Sequence, residues 1–264
     1  MECSGMDMLA IIQARTRSTR LPDKVLLSLE GKTVLEHVIN RAKASKYITD
    51  VFVGTTIKKA DLKIVKLCAE LETSVFCGSE DDVLDRYYQA ARLVRPKHVV
   101  RITADCPVID PMVVDKVIEL HIKENADYTS NTFGETYPDG QDVEVFTFEA
   151  LKESWKNATL ASEREHVAPY MRNNPEKFRQ ASLNYKDNLS NKRWTLDNKE
   201  DYEFLKIVFK NLYHQKPLFG MNDILDFLGK NPDVERINMH IMRNEGYAKS
   251  LREDRMLNLE NTEE

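Results

Sequence analysis

The chain is poor in the features that would mark a secreted, membrane-bound or metal-clustered protein. Its 264 residues hold only four cysteines, Cys3, Cys68, Cys77 and Cys106. None forms a Cys-x-x-Cys pair or stands at zinc-ligand spacing from a histidine, so a disulfide framework and a structural zinc site are excluded and the thiols read as reduced, in a cytoplasmic protein. No apolar run approaches the roughly 20 residues that span a bilayer. The apolar stretch 8–12 is too short for a signal peptide and is followed at once by Gln13 and Arg15. Residues 1–5 read as a ragged start, with Met6 or Met8 equally able to open the functional chain. Excess positive charge is lacking too: 38 Lys and Arg stand against 43 Asp and Glu, a net charge of −5. That balance argues against a general nucleic-acid binder.

What is present is an ordinary globular composition, 42% hydrophobic and 31% charged, in a chain long enough to bury roughly three quarters of its unfolded surface. Strand-like runs at 8–13, 50–55, 73–77 and 97–103 alternate with helical periodicity at 33–44, 60–72 and 81–94, the pattern of a parallel sheet. Thr33 with Glu36 forms a capping box, and Asp110-Pro111 opens a helix to about residue 124. From 126 to 185 the rhythm breaks, with a Tyr137-Pro138-Asp139-Gly140 turn, a strand at 142–146 and helices near 148–157 and 161–173. This segment reads as an insertion within a single domain spanning 1–264. The sheet pattern resumes at 192–196 with a helix at 198–212 and another from Met221. Residues 255–264 read as a flexible polar tail.

The segment Ala14-Arg15-Thr16-Arg17-Ser18-Thr19-Arg20-Leu21-Pro22-Asp23-Lys24 places four cations within ten residues, directly after the first strand. In open α/β sheets, ligands bind at the carboxyl ends of strands. The loop has no glycine, which excludes a Walker A loop and a dinucleotide fingerprint. Guanidinium forks, an ammonium and hydroxyls instead suit a polyanion such as a triphosphate, the alternative being a solvated basic loop.

Asp105, in Arg101-Ile102-Thr103-Ala104-Asp105-Cys106-Pro107, ends a strand on the same edge. It is placed to hold a divalent cation beside phosphates, or simply to form a turn. Asp197 ends a second such run; it is a second metal ligand or a helix N-cap with Glu200. Ser79, with cap-like spacing to Asp82, sits where a helix start suits either a cap or a nucleotide. Asp139-Gly140-Gln141-Asp142-Val143-Glu144 offers acids for substrate hydroxyls or a solvated edge strand. Ser162-Glu163-Arg164-Glu165-His166 offers acceptor contacts or a helical surface network. No nucleophile–histidine–carboxylate set stands out.

These blocks, ARTRSTRLPDK, GSEDDVLDRYYQAA, RITADCPVIDP, YPDGQDVEVFTFEAL, SEREHVAPYM, RWTLDNKEDYEFL and RNEGYAKSL, resemble in order the sugar-acid cytidylyltransferases. The resemblance is closer still to the spore-coat polysaccharide biosynthesis protein F branch of that superfamily. It covers nearly the whole chain and implies a Rossmann-like, glycosyltransferase A type α/β fold with a mixed sheet flanked by helices and an inserted dimerisation and acceptor segment. It further implies CTP as substrate, a small acceptor such as a sugar acid, Mg2+ and a homodimer.

Carried onto this sequence, the resemblance makes Arg15, Lys24 and Asp105 catalytic. Ala14, Arg15, Arg20, Lys24, Ser79 and Asp105 would bind the nucleotide, and Asp105 and Asp197 the metal. Gln141, Asp142, Glu144, Arg164 and His166 would face the acceptor. After Asp105 the chain reads Cys-Pro where the octulosonate enzymes have Glu-Pro. The acceptor oxygen would attack the α-phosphorus of CTP with pyrophosphate leaving in line, and positioning and electrostatics would carry the catalysis. A glycosyltransferase using a nucleotide sugar on the same fold is the alternative reading, and a non-catalytic dimeric scaffold the second.

Overall fold

The computed structural model describes residues 7–243 and 245–260; Cys3, Met6 and the ragged start at 1–5 lie outside the described residues. The strands β1 (Met8–Gln13), β4 (Asp50–Thr56), β5 (Ser74–Gly78), β6 (His98–Thr103), β7 (Tyr128–Ser130), β8 (Glu144–Thr147) and β9 (Gln180–Ser182) form one sheet in the order β5-β4-β1-β6-β8-β7-β9. A small hairpin, β2 (Ser28–Leu29) and β3 (Lys32–Thr33), stands apart from it. β1 pairs in parallel with β4 and β6, and β4 with β5, whereas β8 runs antiparallel to both β6 and β7. The result is the mixed α/β sheet that the sequence implies. The segment 126–185 supplies three of its strands.

Alternation along β1 builds two core layers. Met8, Ala10 and Ile12 face one layer with helices α1 (Val34–Lys43), α4 (Pro111–Lys123), α8 (Lys199–Leu212) and α9 (Met221–Lys230). Leu9 and Ile11 face the other, with α3 (Val83–Val94), α5 (Phe148–Asn157) and α7 (Pro169–Asn173). A strand covered on both faces must be apolar throughout, which is why 8–12 reads as a continuous hydrophobic run. The helix starts follow their caps: Thr33 accepts from the Glu36 amide at 3.1 Å, and Asp110 from the Met112 amide at 2.8 Å. Helix α2 (Leu62–Glu70) and the single turn α10 (Pro232–Glu235) complete this frame.

Two expectations are corrected. The helix at 161–173 is two, α6 (Ala161–His166) and α7, because Val167 adopts φ 70 and Pro169 starts afresh. The run 192–196 is not a sheet strand; its only ladder contact among the described residues is a bridge from Arg193 to Asp139. Residues 255–260, the start of the expected polar tail, continue helix α11 (Glu245–Glu260), and 261–264 lie outside the described residues. Among the described residues no helix is long and apolar enough to cross a membrane.

Two buried histidines give the fold a pH signature. His37 donates to the Leu29 carbonyl at 2.8 Å, while the ring nitrogens of His121 meet His98 at 3.0 Å and Thr129 at 2.9 Å. Burial, above all, pushes His37 down to about 4 and His121 to about 3. Both stay neutral in the fold while the unfolded chain takes up protons near pH 6.5. Stability is therefore full above that value and falls as pH drops toward 4 and 3. The two together should cost on the order of 4 kcal/mol between pH 7.5 and pH 5. Urea-denaturation midpoints at those two pH values check this, and equal midpoints would refute it.

Candidate active site

The carboxyl ends of β1, β4, β5 and β6 share one edge, and the loops leaving β1, β5 and β6 border a cleft of about 640 Å3, within the range of small-ligand sites. The basic loop is fixed from below. Buried Asp61 accepts from the Thr16 amide and hydroxyl at 2.7 and 2.6 Å and from the Thr56 hydroxyl. The Asp23 amide returns to the Thr16 carbonyl at 3.0 Å with Asp23 in the left-handed region, φ 56, which turns Lys24 inward. Asp61 escaped sequence reasoning: it carries no motif and acts only because the fold brings it beneath the loop.

Asp105 and Asp197 meet across 92 positions because the Leu196 amide donates to the Asp105 carbonyl at 2.8 Å, with the Thr195 hydroxyl at 3.3 Å from the same oxygen. The 192–196 run is held in turn by the Tyr137–Gly140 turn, through Asp139 N to the Lys192 carbonyl at 2.9 Å and Trp194 N to the Asp139 carbonyl at 2.7 Å. Gly140 is required there: at φ +102, a Cβ would lie 2.7 Å from the Thr195 nitrogen. Beneath Asp197, the buried Asp201 accepts from Arg193 at 2.8 and 3.0 Å, from Asn238 at 2.9 Å, and from the amides of Asp197 and Asn198, both at 2.9 Å. The start of α8 is thus anchored through Asp201 rather than Glu200.

The Lys24 ammonium lies between the two carboxylates, 2.6 Å from Asp105 and 2.8 Å from Asp197. Burial raises the Asp105 carboxyl, but Lys24 outweighs it through charge and hydrogen bonding and holds the group down at about 2. Burial likewise opposes the Lys24 charge, yet its two acidic partners leave it above the ordinary lysine value. Arg20 adds a contact to Asp197 at 3.0 Å. Ala14 and Arg15 also line the cleft, and Arg15 has no bonding partner among the described residues.

A second cavity of about 210 Å3 opens beside the first and shares Thr103 and His166 with it. Asp142 and Glu144 line it, paired with Arg243 at 2.7 Å and with Arg101 respectively. Burial pushes the Asp142 carboxyl up despite Arg243. Burial and the Asp142 charge lift Asp139 to about 7, against Arg243 and Arg193. His166 is driven down to about 4 by burial first and the Arg101 charge second, so it enters this junction as a neutral ring. Arg172, which no sequence pattern singled out, faces the cavity with its guanidinium on the Tyr247 hydroxyl, at 2.5 Å, and on the Tyr247 ring.

Three of the expected site residues stand elsewhere. Gln141 is fully buried, accepting from the Asp110 amide at 2.9 Å and donating to the Val108 carbonyl at 2.7 Å; it ties the turn to the α4 start and reaches neither cavity. Arg164 forks onto Asp82 and donates to the Trp155 carbonyl at 2.8 Å, locking α6 to α3. The Ser79 hydroxyl accepts from the Asp82 amide at 3.1 Å, a turn role, and its neighbours Glu80 and Asp81 line the cleft instead. A third cavity, about 520 Å3, is bordered by Tyr88, Arg92, Lys97 and Phe148 near the amino end of β6, away from the strand carboxyl ends.

Two carboxylates converging on one cation suit magnesium, which takes one or two carboxylates and completes its shell with phosphate oxygens and water. The described residues hold no cluster of three or more acidic, histidine or cysteine ligands, so phosphate and water would have to supply the remaining positions.

Comparison with known proteins agrees with this geometry. A cytidylyltransferase family model matches residues 9–224. An uncharacterized protein of Methanocaldococcus jannaschii is 41% identical over 240 residues, spanning 89% of this chain and 96% of the relative. The spore coat polysaccharide biosynthesis protein SpsF of Bacillus subtilis is 30% identical over 240 residues, spanning 86% and 96%. A solved cytidylyltransferase structure from Leptospira borgpetersenii superposes with a TM-score of 0.82 at 34% identity, covering 87% of this chain and 97% of that one.

Proposed function

Because this chain belongs to the cytidylyltransferase family and is thereby a CTP-dependent nucleotidyltransferase, we propose that it activates an anionic, hydroxyl-bearing acceptor, a sugar acid or close relative. The activated product would serve surface polysaccharide or glycoconjugate biosynthesis, the setting named for its Bacillus relative. One observation supports this reading above the rest: the cleft that carries Arg15, Arg20 and Lys24 opens through Thr103 and His166 into a small cavity that presents Arg101, Arg172 and Arg243. Arg172, without a carboxylate partner among the described residues, is the group to hold the acceptor's anion.

In this reading Arg15, Arg20 and Lys24 grip the phosphates, and Asp105 and Asp197 hold magnesium, which when bound offsets phosphate charge. Asp142 and Glu144 accept hydrogen bonds from acceptor hydroxyls. An acceptor oxygen attacks the α-phosphorus; a bond forms there as the bond to the bridging oxygen breaks, pyrophosphate departs with that electron pair, and the proton of an attacking hydroxyl passes to solvent. The chain's own contribution is to align the two substrates across the Thr103–His166 junction and to stabilise the charge moving onto pyrophosphate through Arg15, Arg20 and Lys24.

A thermal-shift panel with magnesium tests the reading. CTP at a hundredfold excess over its Kd should stabilise the fold by about 2.7 kcal/mol, a shift on the order of 5–10 °C. UTP, ATP, GTP and nucleoside diphosphate sugars should give less. Preference for a nucleotide sugar would move the chain to the glycosyltransferases, and no shift with any nucleotide would favour a non-catalytic scaffold.

A further inference from the structure

Arg243 and residues 245–247 lie beyond the residues that the family model matches, yet they border both cavities. Glu245 and Gly246 line the nucleotide cleft, and Arg243 and Tyr247 line its neighbour. The Glu245 carboxylate sits 2.6 Å from Arg20, a cation of the phosphate loop, 225 positions away in sequence. Helix α11 is secured further along. The Ser250 hydroxyl donates to Glu165 at 2.5 Å and lies 3.1 Å from the His166 ring, and Asp254 accepts from the Ser162 amide at 3.1 Å.

The cleft's charge makes this contact significant. Six carboxylates line it against five arginine and lysine side chains, so the lining is net negative before a polyanion enters. Two of its cations are also already engaged: Lys24 by two acids, Arg20 by Asp197 and Glu245. Asp105 and Asp197 have a use beside a nucleotide, as ligands of its metal. Glu245 has none, since a carboxylate facing phosphates repels them. It is also the weakly held member, because the Arg20 and Glu245 side chains are 36% and 49% exposed, and such pairs yield readily to a more highly charged partner that offers bidentate contacts.

Resting on the CTP reading above, we propose that Glu245 is an affinity-setting latch that occupies Arg20 in place of a CTP phosphate. Nucleotide binding then detaches the first turn of α11 from the basic loop while Ser250 and Asp254 keep the remainder docked on α6. The carboxylate is a built-in competitor: CTP must displace it to gain Arg20. The acceptor cavity, bordered by Tyr247 two residues on, is consequently loosened by the arrival of the first substrate.

The test is calorimetric titration of CTP with magnesium, without acceptor, into the wild-type chain, E245Q and D233N. Asp233 pairs with Arg236 at 2.9 Å outside the cleft lining, so D233N controls for the loss of one negative charge. E245Q should bind CTP about three- to fivefold tighter than wild type, as release of one exposed ion pair allows. The gain should shrink at high salt, and D233N should show no comparable gain. In the wild-type chain, amide hydrogen exchange at 246–250 should quicken on adding CTP. E245Q binding CTP equally or more weakly, or CTP slowing that exchange, would overturn the latch alone. A wild-type chain that binds no CTP would overturn the underlying reading as well.

Discussion

Asp105→Asn is expected to lower CMP transfer from CTP by about a hundredfold, on the order of 3 kcal/mol of transition-state stabilisation, while leaving the fold intact. The carboxylate is one of two that converge on a single cationic point, and Lys24 now occupies that point. An amide of the same size keeps the packing against Thr103 and Thr195 but removes the charge that would hold magnesium beside the phosphates. Lys24 retains Asp197, so the loss of stability should stay small. Asp105, held at about 2, contributes its ion-pair stability in full above its ordinary carboxylate value and loses it as pH falls through about 2. Turnover against magnesium concentration, paired with CTP-induced thermal shifts with and without the metal, measures the effect. A variant with unaltered magnesium dependence in both would refute the metal assignment.

The second large effect lies one layer below. Asp201→Ala should cost about 3–5 kcal/mol, because it leaves Arg193, only 5% exposed, without the carboxylate that takes two of its donors. For a chain of this size that corresponds to a melting temperature lower by about 10 °C. Arg193 keeps Asp139 at 3.0 Å and Asp197 at 3.2 Å, which places the expected cost toward the lower end. The same change removes the acceptor for the Asp197 and Asn198 amides, so CTP turnover should fall even at temperatures where the variant is folded. Asp201→Asn, which preserves shape, should recover part of the stability. A melting temperature equal to wild type in the alanine variant would show that Arg193 is satisfied without it.

The legibility of this site follows the range of the interactions that form it. Ser79 and Asp197 had two readings each. Ser79 spends its hydroxyl on the Asp82 amide three residues on, a local bond that the spacing alone suggested. Asp197 points into the cleft because its own cap duties pass to Asp201 four residues later. Gln141 and Arg164 spend donors on backbone carbonyls inside the fold, which spacing does not reveal. A polar side chain in a substrate-like motif looks the same in sequence whether its partner is a ligand or a buried backbone carbonyl, as with Val108 for one and Trp155 for the other. Arg172, Asp61 and Glu245 were overlooked because nothing within a helical turn or strand period of them carries their purpose.

The sequence by itself determined the alternation of buried strands and amphipathic helices, the helix caps at Thr33 and Asp110, and the glycine-free basic loop at a strand's carboxyl end. Each depends on residues a few positions apart, whose steric and hydrogen-bonding preferences act before any tertiary contact exists. Only the tertiary structure decided that 192–196 is a strap rather than a strand, and that Asp105 and Asp197 share one cation. It alone decided that Glu245 reaches Arg20 across 225 positions. Those choices are made by packing and by backbone hydrogen bonds between distant segments, whose favourable energy appears only once the sheet has brought their ends together.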